Sequence, residues 1–376
     1  MKFVIPTQEL NYLISKVLNV VPLKPTVPIV GNILIEASKG EIILTATDFN
    51  VGIRCHAEAE IQEEGATTLP SKKFAQLIRE ISTLNVEIST SPNQITTLIA
   101  GSSRFKLNGM SKEDFPELPH TDNAPYFELP QKTFKELLSK TAFAVSREDN
   151  RYVLTGVLME INGGLATFVG TDGKRLARAF SQVEIDPTLQ CQSVIPIKAV
   201  EEIIKNLTDE GNAKISVMSD KISVEANDTK LIAKLLMGDY PDYMRIIPQQ
   251  PEILLSLHKD ELVSLLKQVS LFVPDSHRAV HFAFSDGEVR VNANSIDIGE
   301  GQVAMPVNYH GPKLELALNP GFMIDLLRQC KNEIVSMGLT DPYNPGIITD
   351  QEEPLPPIMQ SSPLFVIMPM RLIEET

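Results

Sequence analysis

Hydrophobic positions along the chain recur at helical spacing in three similar stretches. In each stretch the apolar residues return every three or four positions, as on one face of an α-helix. These stretches are QELNYLISKVLNVV (8–21), QKTFKELLSKTAFAV (131–145) and HKDELVSLLKQVSLFV (258–273). A second helical pattern follows each of them and begins at or near a proline, which suits the first turn of a helix. We predict these second helices over PSKKFAQLIREIS (70–82), PIKAVEEIIKNL (196–207) and NPGFMIDLLRQCK (319–331).

Alternating apolar and polar residues between the two helices predict strands. VPIVGNILIEASKGEIILTATD (27–48) matches NRYVLTGVLMEINGGLATFVGTD (150–172) in spacing and alternation. HRAVHFAFSDGEVRVNANS (277–295) is a third version, in which Asp286-Gly287 predicts a hairpin turn. A further set of strands follows the second helix and ends in RFKLNGMSKEDFPELP (104–119) and KLIAKLLMGDYPDYMRIIP (230–248).

The same four features therefore occur three times, with a period near 125 residues. This order predicts an α+β fold of three tandem domains, each with two helices packed on an antiparallel sheet. The breaks fall in polar, proline-containing stretches, HTDNAP (120–125) and PQQPE (248–252). We place the domains at residues 1–121, 122–248 and 249–376.

Composition and the N-terminal sequence predict where the protein is located and argue against one class of partner. The chain has 376 residues, of which 43% are hydrophobic, as in a soluble protein with an ample core. The N-terminus MKFVIPTQEL lacks the apolar run of a signal peptide, so we expect a cytoplasmic protein. Three scattered cysteines fit reduced thiols better than disulfides or a zinc site. The net charge of −14 argues, by itself, against nucleic acid as a partner.

The distribution of charge weakens that exclusion. The six predicted helices together carry a net charge of +5, so the remainder of the chain carries −19. Lysines recur along these helices, among them Lys16, Lys140, Lys205 and Lys267. A basic helical layer on acidic sheets suits a surface that faces phosphate while the exterior repels it. The alternative is that helices simply favour lysine.

The stretch FVGTDGKRLARAF (168–180) is the best candidate for chemistry, and it has two interpretations. As a hairpin turn, Gly173 supplies a positive φ and Asp172 bonds the turn backbone, with Asp48 as its counterpart in the first domain. As an active site, Asp172, Lys174 and Arg175 would serve an enzyme. Phosphate-binding glycine loops, nucleophile elbows and metal-ligand spacings do not occur in the sequence. We therefore expect a non-catalytic scaffold without a cofactor or metal.

Five segments resemble the bacterial DNA polymerase III beta subunit family, the sliding clamps. They are MKFVIP (1–6), KPTVPIVGNILIEA (24–37), TDGKRLA (171–177), GDYPDYMRIIP (238–248) and VIMPMRL (366–372). The resemblance implies a head-to-tail homodimer ring of six domains, with twelve helices around a hole for double-stranded DNA. It implies processivity through topological binding without sequence specificity. The implied partners are a clamp loader, the replicative polymerase alpha subunit, and other polymerases or repair proteins that bind through short linear motifs.

The resemblance also implies residues that contact DNA and residues at the dimer seam. The implied DNA contacts are Lys24, Lys72, Lys198, Glu148 and Tyr152. Val153 stands where the family often has a second aromatic residue, and the charge of Glu148 is unfavourable beside phosphate, so we expect a weakened aromatic contact. The implied dimer seam comprises Lys73, Phe105, Leu107, Leu271 and Phe272. For the apolar pairs in that seam, an ordinary place in the core is the alternative.

The Thr-Asp-Gly turn belongs, by the same resemblance, to a cleft between the second and third domains that binds partner peptides. The alternative for VIMPMRL is a buried terminal strand, and the two interpretations are compatible if alternate residues face the core and the cleft. His277, Phe322 and Tyr343 replace other residues of the family, so we expect a narrower cleft with altered peptide preference. The implied cleft residues are Leu154, Thr171, Gly173, Lys174, Arg175, Leu176, Pro241, Arg245, Ile246, His277, Asn319, Phe322, Tyr343, Pro345, Val366, Met368, Pro369, Met370, Arg371 and Leu372.

Two other functions remain open at this stage. One is the enzyme with its site around Asp172. The other is a purely structural assembly of repeated domains that never meets DNA.

Overall fold

A computed structural model describes residues 1–121, 124–148, 151–273, 278–351 and 360–370. Within these residues the chain forms six α-helices and 25 strands. The helices are α1 (Thr7–Val17), α2 (Ser71–Glu80), α3 (Gln131–Ala142), α4 (Ile197–Asn206), α5 (Lys259–Val269) and α6 (Pro320–Leu327). In this part of the chain, none of these helices has the length and apolar character needed to span a membrane.

The strands are antiparallel wherever their pairing is described. They are β1 (Lys2–Pro6), β2 (Asn32–Ser38), β3 (Glu41–Thr47), β4 (Val51–Glu58), β5 (Glu60–Glu63), β6 (Gly65–Pro70), β7 (Asn85–Thr90), β8 (Ile95–Ala100), β9 (Ser103–Asn108), β10 (Phe127–Pro130), β11 (Gly156–Asn162), β12 (Leu165–Thr171), β13 (Arg175–Gln182), β14 (Gln190–Pro196), β15 (Asn212–Val217), β16 (Lys221–Ala226), β17 (Thr229–Lys234), β18 (Ile253–His258), β19 (Val280–Ser285), β20 (Glu288–Ser295), β21 (Gly299–Pro306), β22 (Leu314–Leu318), β23 (Ile334–Leu339), β24 (Gly346–Thr349) and β25 (Leu364–Ile367).

All six predicted helices are present, and each is shorter than its predicted segment. The pattern of the first runs on to Val21, but α1 ends at Val17. Val20 and Val21 are buried although they lie outside the helix, so the apolar segment extends beyond the end of α1. At the start of α6, Asn319 is the N-cap, and its side-chain oxygen accepts a hydrogen bond from the backbone N–H of Phe322 at 3.2 Å.

Four sheets organise the strands, and two of them combine strands from neighbouring repeats. Sheet A has the order β5-β1-β7-β8-β9, and sheet D has the order β21-β20-β19-β22. Sheet B, β10-β15-β16-β17-β4-β3-β2-β6, joins strands of the first two predicted domains at β4 and β17. Sheet C, β14-β11-β12-β13-β25-β24-β23-β18, joins the second and third at β13 and β25. Local periodicity does not predict these joins.

Because of these shared sheets, the chain forms two compact units. Unit 1 comprises Met1–Lys135, Glu184–Asp186 and Ile195–Leu236. Unit 2 comprises Glu136–Val183, Pro187–Val194 and Met237–Thr376. In unit 1 the helix α1 packs on α2, β3 and β4, and in unit 2 the helix α5 packs on α6, β20 and β21. The apolar helix faces predicted from the sequence therefore form the core of each unit.

Lys16 of α1 and Lys205 of α4 have partners within unit 1, which weakens the prediction of a basic helical layer. Lys16 is buried, and its Nζ lies 3.1 Å from Asp228 Oδ1 and 3.0 Å from Thr229 Oγ1. Lys205 Nζ donates to the carbonyl oxygen of Ser15 at 2.6 Å. These two ammonium groups bind other parts of unit 1, since Lys16 faces inward and Lys205 reaches the last turn of α1.

Candidate functional site

The Thr-Asp-Gly turn joins β12 to β13 and has the geometry predicted for a hairpin. Asp172 Oδ1 accepts hydrogen bonds from the backbone N–H groups of Lys174 at 2.9 Å and Arg175 at 3.0 Å. Gly173 has φ of 81°, a conformation that favours glycine. Asp48 Oδ1 bonds Asn50 and Val51 in the same way. The turn interpretation is therefore confirmed for both aspartates.

Arg175 connects this turn to α6 of unit 2. Its Nε lies 3.1 Å from Asp172 Oδ2, its Nη1 lies 2.7 Å from Asp325 Oδ2, and its Nη2 donates to the carbonyl oxygen of Phe143 at 3.0 Å. The guanidinium carbon also lies 4.5 Å from the centre of the Phe322 ring. Arg175 therefore holds elements of unit 2 together through all three of its nitrogens.

The last described segment passes beside the turn. In sheet C, β25 pairs with β13 so that Val366 lies opposite Leu176. After β25 the backbone N–H of Met368 donates to the carbonyl oxygen of Lys174 at 2.9 Å, and that of Met370 donates to Ala317 at 2.8 Å. VIMPMRL thus begins as the buried strand and continues as a half-buried edge at Met368, Pro369 and Met370.

A third segment, residues 240–247, lies on the same sheet. Tyr240 Oη donates to the carbonyl oxygen of Val169 at 3.4 Å, and Tyr243 Oη donates to Glu160 Oε2 at 2.6 Å. Burial raises the pKa of both phenols, and the Glu160 carboxylate raises them further. Sequence reasoning did not assign these tyrosines or Glu160, although a lone carboxylate in the apolar strand GVLMEIN was a visible signal.

Several implied cleft residues are buried, whereas others are accessible. Leu154, Thr171, Leu176 and Val366 are buried. The accessible or half-buried ones in unit 2 are Gly173, Lys174, Pro241, Arg245, Ile246, Asn319, Phe322, Tyr343, Pro345, Met368, Pro369 and Met370. Tyr343 and Pro345 lie in or next to a turn capped by Asp341. His277, Arg371 and Leu372 lie outside the described residues.

Three residues implied in DNA contact lie around one loop of unit 1. Lys198 Nζ donates to the carbonyl oxygen of Val20 at 2.9 Å, and Lys72 Nζ donates to that of Leu23 at 3.2 Å. Lys24, in the same loop, is exposed. Lys198 also lies 2.5 Å from Asp48 Oδ2, so part of its charge is neutralised within unit 1. In unit 2, Glu148 is exposed and the side chain of Tyr152 is 63% exposed.

The residues implied in the dimer seam lie on an edge strand, on a 3-10 turn and on a helix. Phe105 and Leu107 lie on β9, the last strand of sheet A, and Phe105 is 37% exposed. In unit 2, Leu271 is exposed, and Phe272 packs close to Gly301 of β21, the last strand of sheet D. Lys73 is exposed on α2. Phe105 and Leu271 are therefore not buried in the core, which was the alternative to a place in the dimer seam.

The fold is one of repeated α+β domains, and comparison with known proteins identifies the family. Models of the DNA polymerase III beta subunit match as its N-terminal domain over residues 1–119, its central domain over 128–242 and its C-terminal domain over 244–371. The beta sliding clamp of Chlamydia pneumoniae is 48% identical over 375 residues, covering 100% of both chains. That of Escherichia coli K12 is 31% identical, covering 99% of this chain and 100% of the relative.

A solved structure gives the same result. The DNA polymerase III subunit beta of Pseudomonas aeruginosa superposes with a TM-score of 0.92 at 27% identity, covering 99% of this chain and 100% of that one. The chain belongs to the DNA polymerase III beta subunit family. Its class of function is that of a DNA sliding clamp, which confers processivity on DNA polymerase III.

Proposed function

We propose that two copies of the chain join head to tail into a ring around double-stranded DNA and tether the replicative polymerase to its template. The ring serves without catalysis, in the cytoplasm, and a clamp loader opens it. The threefold repeat, whose three parts match the clamp family over residues 1–119, 128–242 and 244–371, carries this proposal. The turn around Asp172 supports the non-catalytic role, because both carboxylate oxygens bind groups of the turn.

Two sheet edges support head-to-tail pairing. Strand β9 ends sheet A and carries the exposed Phe105, while β21 ends sheet D near Leu271. An edge strand presents backbone N–H and C=O groups that can pair with another chain. Pairing β9 of one copy with β21 of the other would extend both sheets and bury the apolar side chains. A copy with one edge of each kind forms a closed dimer through two identical contacts.

Weak phosphate contacts are sufficient once the ring is closed. Twelve helices spaced about 9 Å apart give a circumference of about 108 Å, which corresponds to a diameter of about 34 Å. After subtraction of about 10 Å for helix thickness, the bore is about 24 Å wide. Lys24 and Lys72 are the favoured contacts, because Lys198 is paired with Asp48. Such contacts break and reform without sequence preference, which permits sliding.

The accessible residues beside the Thr-Asp-Gly turn form the proposed peptide site. Met368 and Met370 offer an adaptable apolar lining, and Pro369 stiffens the segment between them. Arg245 is exposed and forms an ion pair with Asp242, three residues away, at 2.8 Å, so it suits polar groups of the peptide. Arg175 serves instead as the support beneath the site. Polymerases and repair proteins would dock here through short linear motifs.

Fluorescence titration of a labelled peptide that carries a polymerase clamp-binding motif tests this site. Met370→Ala should weaken binding about tenfold or more, because it removes a large part of the apolar lining. Met218→Ala is the matched control, since Met218 is also half-buried but lies on unit 1. Unchanged affinity in Met370→Ala would remove Met370 from the site.

A further inference from the structure

The internal repeat places the same charged pair on matching strands of the two units. In unit 1, Glu36 lies on β2 and Arg54 on β4. In unit 2, Glu160 lies on β11 and Arg178 on β13. The strand registers are the same in both sheets, so Glu36 corresponds to Glu160 and Arg54 to Arg178. The two patches can therefore be compared residue by residue.

In unit 2 the chain itself covers this pair with a phenol. Tyr243, which follows Asp242 in segment 240–247, donates its O–H to Glu160 at 2.6 Å. Tyr243 is buried, and Arg178 is only 4% exposed. The phenol thus satisfies the Glu160 carboxylate, while the Arg178 guanidinium is buried.

In unit 1 the matching segment leaves the pair open. Phe115-Pro116 corresponds to Tyr240-Pro241, so Leu118 stands at the position of Tyr243. Leu118 packs instead over Gly52, where an added Cβ would lie 2.3 Å from Leu118 Cδ2. Unit 2 has a leucine, Leu176, at the position of Gly52. The side chain of Leu118 thus fills the space over Gly52 instead of the space that Tyr243 fills in unit 2. The side chain of Arg54 remains 49% exposed.

A cavity of about 340 Å³ lies where the phenol would be. Its walls include Leu34, Phe115 and Ile232, and Glu36 lies among them. The cations nearest to Glu36 are Lys112 Nζ at 3.6 Å and Arg54 Nη2 at 3.7 Å, both beyond hydrogen-bond distance. The volume is near the lower end of ligand pockets, about 300 Å³, and is large enough to hold an aromatic side chain.

We propose that this cavity binds a tyrosine of a partner polypeptide. The phenol O–H donates to Glu36, and the ring packs against Leu34 and Phe115. An acidic residue before the tyrosine is favoured by Arg54 and Lys112, which both line the cavity. The occupant has the chemistry of Asp242-Tyr243, which the chain uses to fill the matching place in unit 2. The proposal does not depend on the peptide site beside Met370.

Titration of the full chain with acetyl-Asp-Tyr-amide tests the proposal, with the methyl signals of Leu34 and Ile232 followed by NMR. We expect saturable shifts at these methyls. Acetyl-Asp-Phe-amide should bind about tenfold more weakly, because it lacks the donor to a charged acceptor. Glu36→Leu should abolish this preference for the phenol, whereas Glu60→Leu, on β5, should retain it. Equal binding of both probes, or shifts confined to methyls around Met370, would overturn the proposal.

Leu118→Tyr provides an independent test, because it restores the residue found in unit 2. The new phenol should occupy the cavity itself and reduce probe binding at least tenfold. Unchanged binding at the Leu34 and Ile232 methyls would contradict the assigned occupant. If this variant fails to fold, the tyrosine-to-phenylalanine preference in wild type and Glu36→Leu still decides the question.

Discussion

Arg175 shows how one side chain can support a site without contacting what binds there. Its guanidinium joins the turn carboxylate of Asp172, the carboxylate of Asp325 on α6 and the carbonyl of Phe143. Its side chain is largely buried, so removing it leaves charged and polar partners without their donor. The geometry depends on the planar fork of arginine, which lysine lacks.

We therefore expect Arg175→Ala to lower the free energy of unfolding by about 3 kcal/mol. Arg175→Lys should recover only a minor part of that loss. Lys174→Ala is the control, because the neighbouring lysine side chain is exposed, and it should change stability by less than about 0.5 kcal/mol. Urea denaturation followed by circular dichroism measures all three. An Arg175→Ala variant as stable as Lys174→Ala would contradict the supporting role.

The buried carboxyl of Glu202 should make the free energy of unfolding depend on pH. Burial in α4 raises the pKa of its carboxyl above the ordinary value, and Oε2 is buried without a hydrogen-bond partner among the described residues. The folded state thus binds this proton more tightly than the unfolded state. The associated stability is fully present below the unfolded pKa and is lost as pH rises through the folded pKa.

Glu202→Gln should consequently stabilise the protein at pH 7 by about 1 kcal/mol and should have little effect near pH 3.5. Thermal unfolding across this range measures the difference, with the exposed Glu201→Gln as control. A Glu202→Gln variant that is less stable than wild type at pH 7 would show that the ionised form is favoured by the fold.

At the residue scale, the sequence predicts interactions between residues that are close together in the chain. Asp172 and Gly173 form the predicted turn, because the residues that bond the turn are two or three positions away. The partnership of Arg175 with Asp325 spans 150 positions and depends on how α6 packs. Lys198 is a similar case, since its pairing with Asp48 arises only when β3 and α4 meet in unit 1. Distant pairings of this kind have no signature in the sequence.

At the element scale, periodicity predicts the helices well and the sheets only in part. The hydrophobic face of each helix is a property of a single segment, so all six are identified. Pairing of β4 with β17 and of β13 with β25 joins different repeats, and no local pattern encodes those partners. The number of repeats was predictable, but the sharing of sheets between them was not.

Strand β9 yields a prediction at this scale. Phe105→Ala should shift the protein from dimer towards monomer, because it removes an exposed aromatic side chain from an edge strand proposed to pair. The thermal midpoint of the monomer should change little, since the side chain is not in the core. Sedimentation velocity at several concentrations measures the equilibrium. Leu84→Ala, also exposed in the first repeat, is the control.

An unchanged dimer in Phe105→Ala, together with a loss of monomer stability, would instead assign this residue to the core. That outcome would remove β9 from the proposed seam.

At the scale of the whole molecule, the net charge does not show how the charges are distributed along the chain. A chain with a net charge of −14 carries +5 on the segments predicted as helices. Some of these lysines bind other parts of unit 1, as Lys16 does with Asp228. Lys24, in the loop that follows α1, and Lys72, on α2, are exposed and are the phosphate contacts that we propose. An acidic protein can track DNA in this way because topology, and not affinity, retains it.

Retention on DNA of different topology tests the central proposal most directly. The protein, loaded by a clamp loader onto nicked circular DNA, is separated from free protein by gel filtration at moderate salt. We expect it to co-elute with the circle and to be released when a restriction enzyme linearises the same DNA, because a ring slides off free ends. Equal retention on circular and linear DNA, or none on either, would contradict encirclement of the duplex.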